Sequence, residues 1–360
     1  MRRYEIAVIA GDGIGREVIP VGMDVLDAAT EMAGGSRLQW QRFDWGCGYY
    51  LQHGRIMPEG GLSTLAQFEA IYLGAIGYPG VPDHISLWGL LLPIRQTFDQ
   101  YVNLRPVRLL PGIPGPLRDG DERDIDFICI RENTEGEYSG AGGRVHKGLA
   151  EEVVVQTAIF TRAGTERIIR YAFELARKQG RAKVASATKS NAINHSMVFW
   201  DEIFERVAAE YPDIVAEKYH VDALAARFVT HPQTLDVIVA SNLFGDILTD
   251  LGGALQGSLG IPASANLNPT GRYPSMFEPV HGSAPDIAGR NIANPIGAIW
   301  AGAIMLEHLG ERDAARLVMS ALDETCRTRQ VLTPDVGGTA STQEFAKAVI
   351  QRMRELSLRG

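Results

Sequence analysis

The chain has 360 residues, 45% of them hydrophobic and 22% charged, with a net charge of −8. That length can bury a large core over two domains, and the negative balance excludes general nucleic-acid binding, which needs a basic surface. An anionic small molecule stays open as a partner, because a few clustered arginines outweigh the global sign locally.

The first residues, MRRYEIAVIAGDG, hold an apolar run of about six, short of the roughly 7–15 of a secretory h-region, and Asp12 and Glu17 follow at once. No stretch approaches the ~20 apolar residues of a membrane span. YEIAVIAG predicts a buried strand, and GREVIPVGMDVLDAATEM a helix with apolar residues at i, i+3 and i+4. GDGIG between them does not match G-x-G-x-x-G. The third Gly comes one position early, Asp12 would face pyrophosphate oxygens, and no strand-end acid follows about 20 residues on. The motif therefore reads as a tight strand-to-helix turn. RLQWQRFDW, GGLSTLAQFE and AIYLGAIG continue as strand, helix and strand, which predicts a parallel sheet with helices on its faces. Cys47, Cys129 and Cys326 are an odd number, far apart and without C-x-x-C, so no disulfide framework and a reducing cytoplasm are expected.

SLWGLLLPIRQTFDQ predicts a helix carrying Arg95, with Pro93 inside it as a source of a kink. Arg105 precedes Pro106 and is biased to extended backbone. Arg131 ends the strand DIDFICI, and strand C-terminal ends border the ligand crevice of an open α/β sheet. Three arginines so placed can grip a carboxylate in bidentate fashion; taken singly, each reads as a surface ion pair. YSGAGGRV and EVVVQTAIFT then interrupt the alternation as an antiparallel excursion. Tyr138 in this stretch and Lys189 at the end of strand KVASATK are candidate proton-transfer groups. For Lys189 the alternative is an exposed strand-end ammonium. Helix GTERIIRYAFELARKQG stops at Gly180, and helix SMVFWDEIFERVAAEYP with strands around EKYHVDAL and LDVIVAS follow.

SNLFGDILTD, residues 241–250, puts Asp246 and Asp250 on one face of a helix expected over 242–256, beside Leu243, Phe244, Ile247, Leu248 and Leu251. Like charges one turn apart cost about a few tenths of a kcal/mol, more if partly buried. No Lys or Arg within 242–256 offsets them. The spacing fits a solvated polar edge, and it also fits a site for a hard divalent cation, Mg²⁺ or Mn²⁺, that would supply the missing charge. Residues 278–295, EPVHGSAPDIAGRNIANP, are dense in turn formers. A compact loop with His281, Ser283, Asp286 and Asn294 could cradle an adenosine. A carboxylate there would bond a ribose 2′-hydroxyl and repel a 2′-phosphate, favouring NAD over NADP. Three long helices close the chain.

GDGIG, NLRP, RENTEGEY, ATKSN, SNLFGDILTD and EPVHGSAPDIAGRNIANP occur in this order over essentially the whole chain. Together they resemble the metal-dependent β-decarboxylating 2-hydroxyacid dehydrogenases, the family of the isocitrate, isopropylmalate and tartrate/D-malate enzymes. The resemblance implies an α/β, isopropylmalate-dehydrogenase-like two-domain fold that is not Rossmann, a mixed sheet flanked by helices. Its discontinuous first domain, 1–103 with 258–360, would bind NAD, and 104–257 would carry substrate, metal and the dimer contact. By position the resemblance makes Arg95, Arg105 and Arg131 substrate-carboxylate ligands and Tyr138, Lys189 and Asp222 catalytic. Asp222, Asp246 and Asp250 become metal ligands, and His281, Gly282, Ser283, Ala284, Asp286 and Asn294 hold NAD. It also implies a homodimer in which Lys189 and Asp222 of each subunit serve the partner's site.

The expected reaction is oxidation with decarboxylation of a small 2-hydroxy dicarboxylic acid, using NAD and Mg²⁺ or Mn²⁺, with K⁺ as a further candidate cation. DHISLWGLLLPIRQ, HGRIMPEGGL, FWDE and SMFEPVHGSAPDIAG resemble the branch acting on D-malate and tartrate; 3-isopropylmalate is the alternative substrate. Residues 87–92 lack the polar Ser and Asn of isocitrate enzymes, and no acid stands near Trp88 as in isopropylmalate enzymes, although Leu91 and Leu92 could border an isopropyl group. NADP-preferring relatives carry Lys where Asp286 stands. No nucleic-acid or membrane partner is expected. A phosphoryl-transfer enzyme finds no G-x-x-x-x-G-K-[ST] here, and a non-catalytic carboxylate binder remains the other rival.

Overall fold

A computed structural model describes residues 2–117 and 124–358. The chain runs through β1 (Arg2–Gly11), α1 (Gly15–Ala33), β2 (Ser36–Arg42), α2 (Cys47–His53), α3 (Gly61–Leu65), β3 (Ala70–Ala75), α4 (Asp83–Ser86), a π-helical turn (Leu87–Leu91), α5 (Leu92–Thr97), β4 (Val102–Arg108) and β5 (Asp126–Glu132). It continues with β6 (Gly142–Val145), β7 (Val153–Gln156), α6 (Arg162–Gln179), β8 (Lys183–Thr188), α7 (Ser196–Ala208), β9 (Val215–His220), α8 (Val221–Thr230), β10 (Val237–Ala240) and α9 (Asn242–Leu255). It ends with β11 (Ala263–Leu267), β12 (Ser275–Pro279), α10 (Ile296–His308), α11 (Arg312–Thr328) and α12 (Thr342–Ser357).

Two compact units result: Met1–Gln100 with Arg105–Ile125 and Gly253–Gly360, and Tyr101–Leu104 with Asp126–Gly252. The segment after Arg105 joins the first unit because Leu109, Leu110 and Ile113 are buried there and the Arg108 guanidinium grips Asp323 of α11 at 2.6 Å.

In the first unit the strand order is β2-β1-β3-β12-β11. β1 is parallel to β2 and β3, β12 is parallel to β3, and β11 is antiparallel to β12. β1 reads as a near-continuous apolar run, Ile6 to Ile9, because helices cover both of its faces. One face packs on α1 and α10. α10 is apolar almost all round and is buried accordingly. On the other, Ala7, Ile9, Ile71 and Leu73 pack with Leu90, Ile94 and Phe98. The GDGIG turn is the tight corner expected. Gly11 and Gly13 have φ of +72° and +52°, and a Cβ on Gly13 would meet the Ser283 carbonyl oxygen at 1.9 Å. The Asp12 carboxylate is engaged within the protein: it accepts from the amides of Cys47 (3.0 Å) and Gly77 (3.1 Å) and anchors the start of α2.

In the second unit β5-β10-β8-β9 are parallel in that order. β6 and β7 form the separate antiparallel pair read from the sequence. The valines of this pair are exposed: Val145, Val153, Val154 and Val155.

Three expectations change. EKYHVDAL is strand only to His220; Val221 and Asp222 already belong to the first turn of α8. The Pro/Gly/Asn-rich stretch after residue 260 contains β11 and β12, whose small and polar residues are nonetheless fully buried. The helix over 86–100 widens into the π-turn before Pro93, with the Leu92 amide bonding back to the Leu87 carbonyl. Proline in a regular helix would clash with the carbonyl four residues back, and one extra residue in the turn absorbs that conflict in place of a sharp kink. Among the described residues, no helix is long and apolar enough to cross a membrane.

Candidate active site

In the second unit, Arg131 is the sixth residue of β5 and stands beside Ala240, the last of β10. The chain enters α9 two residues later, which carries Asn242 and Asp246 back over the strand ends. Arg131 Nε and Nη2 donate to Asn242 Oδ1 at 3.0 and 2.7 Å, and Nη1 donates to Asp246 Oδ1. Asn242 is fixed in turn by its Nδ2, which donates to the Glu135 carbonyl at 2.9 Å. The Tyr138 hydroxyl donates to Asp246 Oδ2 at 3.0 Å, and the guanidinium lies 5.5 Å from the centre of the Tyr138 ring. Arg131 is 3% exposed. Gly245 makes this packing possible, since a Cβ there would lie 2.6 Å from the Arg131 stem.

The counter-charge for α9, absent from its own sequence, thus comes from a strand 115 residues earlier. Part of the charge that a divalent cation was expected to bring is therefore already supplied by Arg131. Asp250, one turn on from Asp246, is exposed. Burial raises the pKa of Tyr138, the Asp246 carboxylate raises it further, and Arg131 opposes both. The phenol therefore keeps its proton as the pH rises.

Lys189 and Asp222 meet by a different route. β8 and β9 pair with Thr188 opposite His220, so the residues just past each strand end lie side by side. Lys189 Nζ donates to Asp222 Oδ1 at 2.8 Å, and this contact holds the exposed Asp222 carboxyl below the usual range. Among the described residues, no three acidic, His or Cys side chains converge as a metal cage. Asp246 and Asp250 lie one turn apart on α9, and Asp222 is paired with Lys189.

In the first unit, Arg95 of α5 is buried, and its Nη2 donates to Glu278 Oε1 of β12 at 2.8 Å. Asn266 of β11 donates to the same oxygen at 2.7 Å. Arg95 Nε is buried with no protein acceptor, which leaves that donor for a ligand oxygen. Arg105 lies buried on β4.

The 281–294 loop is tied to the start of α1. The Ile14 amide donates to the Ser283 carbonyl at 2.9 Å, and the Glu17 carboxylate accepts from the amides of Gly289 and Asn291 at 2.5 and 2.8 Å. Ala284 has φ of 41°. Gly282 is exposed with open space around it, and Asp286 is exposed. His281 Nδ1 contacts the Gly282 carbonyl, its Nε2 is buried without a partner, and burial lowers its pKa. A cavity of about 670 Å³ lies between residues 76–83 and Gly282, Ser283 and Pro285. Asn294 is buried, and both ends of its amide are engaged. Nδ2 donates to Asp335 at 2.9 Å, and Oδ1 accepts from the Ile296 amide at 3.0 Å. It shapes the loop from within.

These residues fit the expected ligands. The loop offers an unpartnered imidazole nitrogen, an open glycine and an exposed carboxylate beside a cavity of nucleotide size. The pair on α9 offers carboxylate oxygens alone, the donor set of Mg²⁺ or Mn²⁺. Sequence reasoning missed Asn242, Glu278, Glu17 and Gly245. Asn242 and Gly245 lay inside the quoted SNLFGDILTD, but nothing in their spacing pointed to Arg131.

The family profile described as isocitrate/isopropylmalate dehydrogenase matches residues 5–349. The chain is 54% identical over 356 residues to the decarboxylating D-malate dehydrogenase of Escherichia coli (strain K12), covering 97% of this chain and 98% of that protein. It is 53% identical over 361 residues to the tartrate dehydrogenase/decarboxylase of Pseudomonas putida, covering 98% of each. Among solved structures, the isocitrate dehydrogenase of Methylococcus capsulatus matches with a TM-score of 0.87 at 36% identity, covering 98% of this chain and 99% of that one.

Proposed function

We propose that this chain, which belongs to the isocitrate/isopropylmalate dehydrogenase family, oxidises and decarboxylates D-malate or tartrate with NAD and a divalent cation. The observation that carries the reading is the arrangement of Arg131, Tyr138 and Asp246, which puts an anion-binding guanidinium, a protonated phenol and a carboxylate at one strand end.

When bound, the cation and the nicotinamide supply charge stabilisation at the substrate oxygen and a hydride acceptor. Asp246 and Asp250 would hold the cation, each subunit's Asp222 completing the site of the other, and His281, Gly282, Ser283, Ala284 and Asp286 would form the NAD cradle. Arg95, Arg105 and Arg131 bind the substrate carboxylates through charge-assisted hydrogen bonds. Lys189 Nζ, as the neutral amine, would receive the proton of the substrate hydroxyl, and Asp222, 2.8 Å away, would balance the ammonium that forms. Tyr138 returns a proton to the carbon that has lost CO₂; its raised pKa keeps that proton available. The first unit would carry the NAD cradle with Arg95 and Arg105, and the second would carry Arg131, the metal ligands and the dimer contact.

A homodimer with shared sites is supported by the exposure of the apolar pair β6–β7 and of the Lys189–Asp222 pair. The cytoplasmic reading rests on the three cysteines, which are buried and form no disulfide. The Mg²⁺-or-Mn²⁺ choice and a requirement for K⁺ belong to the same proposal. Substrate choice is tested by NADH formation with D-malate, L-tartrate, meso-tartrate and 3-isopropylmalate in parallel. The expected order puts D-malate or a tartrate first in kcat/KM. A clear preference for 3-isopropylmalate would move the chain to the alternative, in which Leu91 and Leu92 border an isopropyl group.

A further inference from the structure

A second cavity of the first unit, about 570 Å³, shares no lining residue with the one beside Gly282 and Ser283. It opens at the C-terminal ends of β1 and β2, between α1 and α2. Val8, Ala10, Ile19, Met23 and Phe43 give it an apolar floor. Arg16 from the first turn of α1, Arg42 from the end of β2, and Asp44 two residues further on give it charge.

These charges are not paired. Arg16 Nε donates to the Gly11 carbonyl at 2.9 Å, and Arg42 approaches only the Met23 sulfur, at 3.9 Å. Neither has a carboxylate partner among the described residues, and Asp44 has no cation. Some arginines elsewhere pair with acids, as Arg170 does with Glu166 and Glu210, and others, such as the exposed Arg290 and Arg312, stand without an acid among the described residues as Arg16 and Arg42 do; what sets Arg16 and Arg42 apart is that they line one cavity with a carboxylate. Opposite charges line one cavity here without closing on each other. A ligand that spans them must carry an anion at one end and hydrogen-bond donors at the other. A second anionic group is disfavoured, because it would face the Asp44 carboxylate.

We propose that this cavity binds a phosphate ester of a vicinal diol, a ribose phosphate in free or nucleotide form, with the phosphate on Arg16 and Arg42 and the diol on Asp44. Two guanidiniums match phosphate oxygens in fork geometry. A carboxylate just past the second strand of a βαβ unit is placed to accept from ribose hydroxyls. Phe43 and Tyr49, packed on Trp45 and His53, add aromatic surface to the same space. The phosphate does not use the helix start itself, since Asp12 and the close approach of Gly13 to Ser283 fill that corner.

Isothermal titration of ribose 5-phosphate into the full chain, with NAD held at saturation to block the 281–294 loop, tests this. Saturable binding is expected. Arg42→Ala should weaken it about tenfold while NADH formation and the circular dichroism spectrum stay unchanged. Asp44→Asn should weaken ribose 5-phosphate but not inorganic phosphate, and 2-deoxyribose 5-phosphate should bind the native chain as weakly as ribose 5-phosphate binds that variant. Tighter binding of adenosine monophosphate assigns the site to a nucleotide; equal affinity assigns it to a sugar phosphate. No saturable heat at millimolar ligand, an affinity that Arg42→Ala leaves unmoved, or inorganic phosphate binding as tightly as ribose 5-phosphate would each overturn the proposal.

Discussion

In the second unit the functional groups hold one another: Arg131 is fixed by Asn242 and Asp246, Tyr138 by Asp246, and Lys189 by Asp222. In the first unit the 281–294 loop is held through its backbone, by the Ile14 amide and the Glu17 carboxylate, while His281, Gly282 and Asp286 keep polar or open faces unengaged. The contrast follows from the chemistry assigned to each. Proton transfer needs charges poised against charges, so removing one member unbalances the rest. A cofactor cradle needs a fixed shape with free donors and acceptors, and a single side chain there tunes choice more than rate.

The comparison breaks most visibly at Asp246. Asp246→Asn should lower kcat on the order of a thousandfold, with the fold retained by circular dichroism. It removes a metal ligand and leaves Arg131 and Tyr138 without their anion. Turnover within a few-fold of the native chain would refute the grouping.

Gly245→Ala sharpens the same point without touching a charge. The added Cβ collides with the Arg131 stem. A helix-propensity gain of about 1 kcal/mol is offset by an overpacking cost of about 1–3 kcal/mol. Stability by denaturant titration should fall by about 0–2 kcal/mol, while KM for the dicarboxylate rises as the guanidinium moves. An unchanged KM would mean that Arg131 lies off the substrate.

In the cradle the expected effects are smaller. Asp286→Lys should shift the ratio of kcat/KM for NADP over NAD by about tenfold or more, with the better coenzyme keeping a near-native kcat. A collapse of kcat with both coenzymes would give Asp286 a catalytic part that the account does not assign.

The smallest effect concerns His281. Burial lowers its pKa, so the unfolded chain binds a proton that the folded loop refuses. Its contribution to stability is complete above about pH 6.5 and is lost as pH falls through the folded value. His281→Gln should therefore lose less Tm than the native chain between neutral pH and about pH 5.5. Parallel Tm curves for the two proteins would contradict this.

Much of this was legible in the sequence because periodicity and turn residues report local structure. The β-α-β-α-β start, the Gly180 stop, the antiparallel excursion and the GDGIG corner all have local causes. The π-turn was half legible, since Pro93 announced a conflict but not its resolution. β11 and β12 were hidden because Ser264, Asn266 and Ser275 look like loop residues and are buried only by pairing across the sheet. At the site, Asp246 and Asp250 were visible as a pair, but the arginine that answers them is distant in the chain. Arg95 carried no sign of Glu278, and Asn294 gave no hint that Asp335 would take its amide.

Metal-dependent NADH formation from D-malate is the central expectation. Treating the protein with a chelator and then adding excess Mn²⁺ should abolish the absorbance rise and then restore it. Asp250→Asn should need far more Mn²⁺ for the same recovery. NADH formation that continues at full rate in chelator, or is never seen with D-malate or tartrate at any Mn²⁺ concentration, would contradict it.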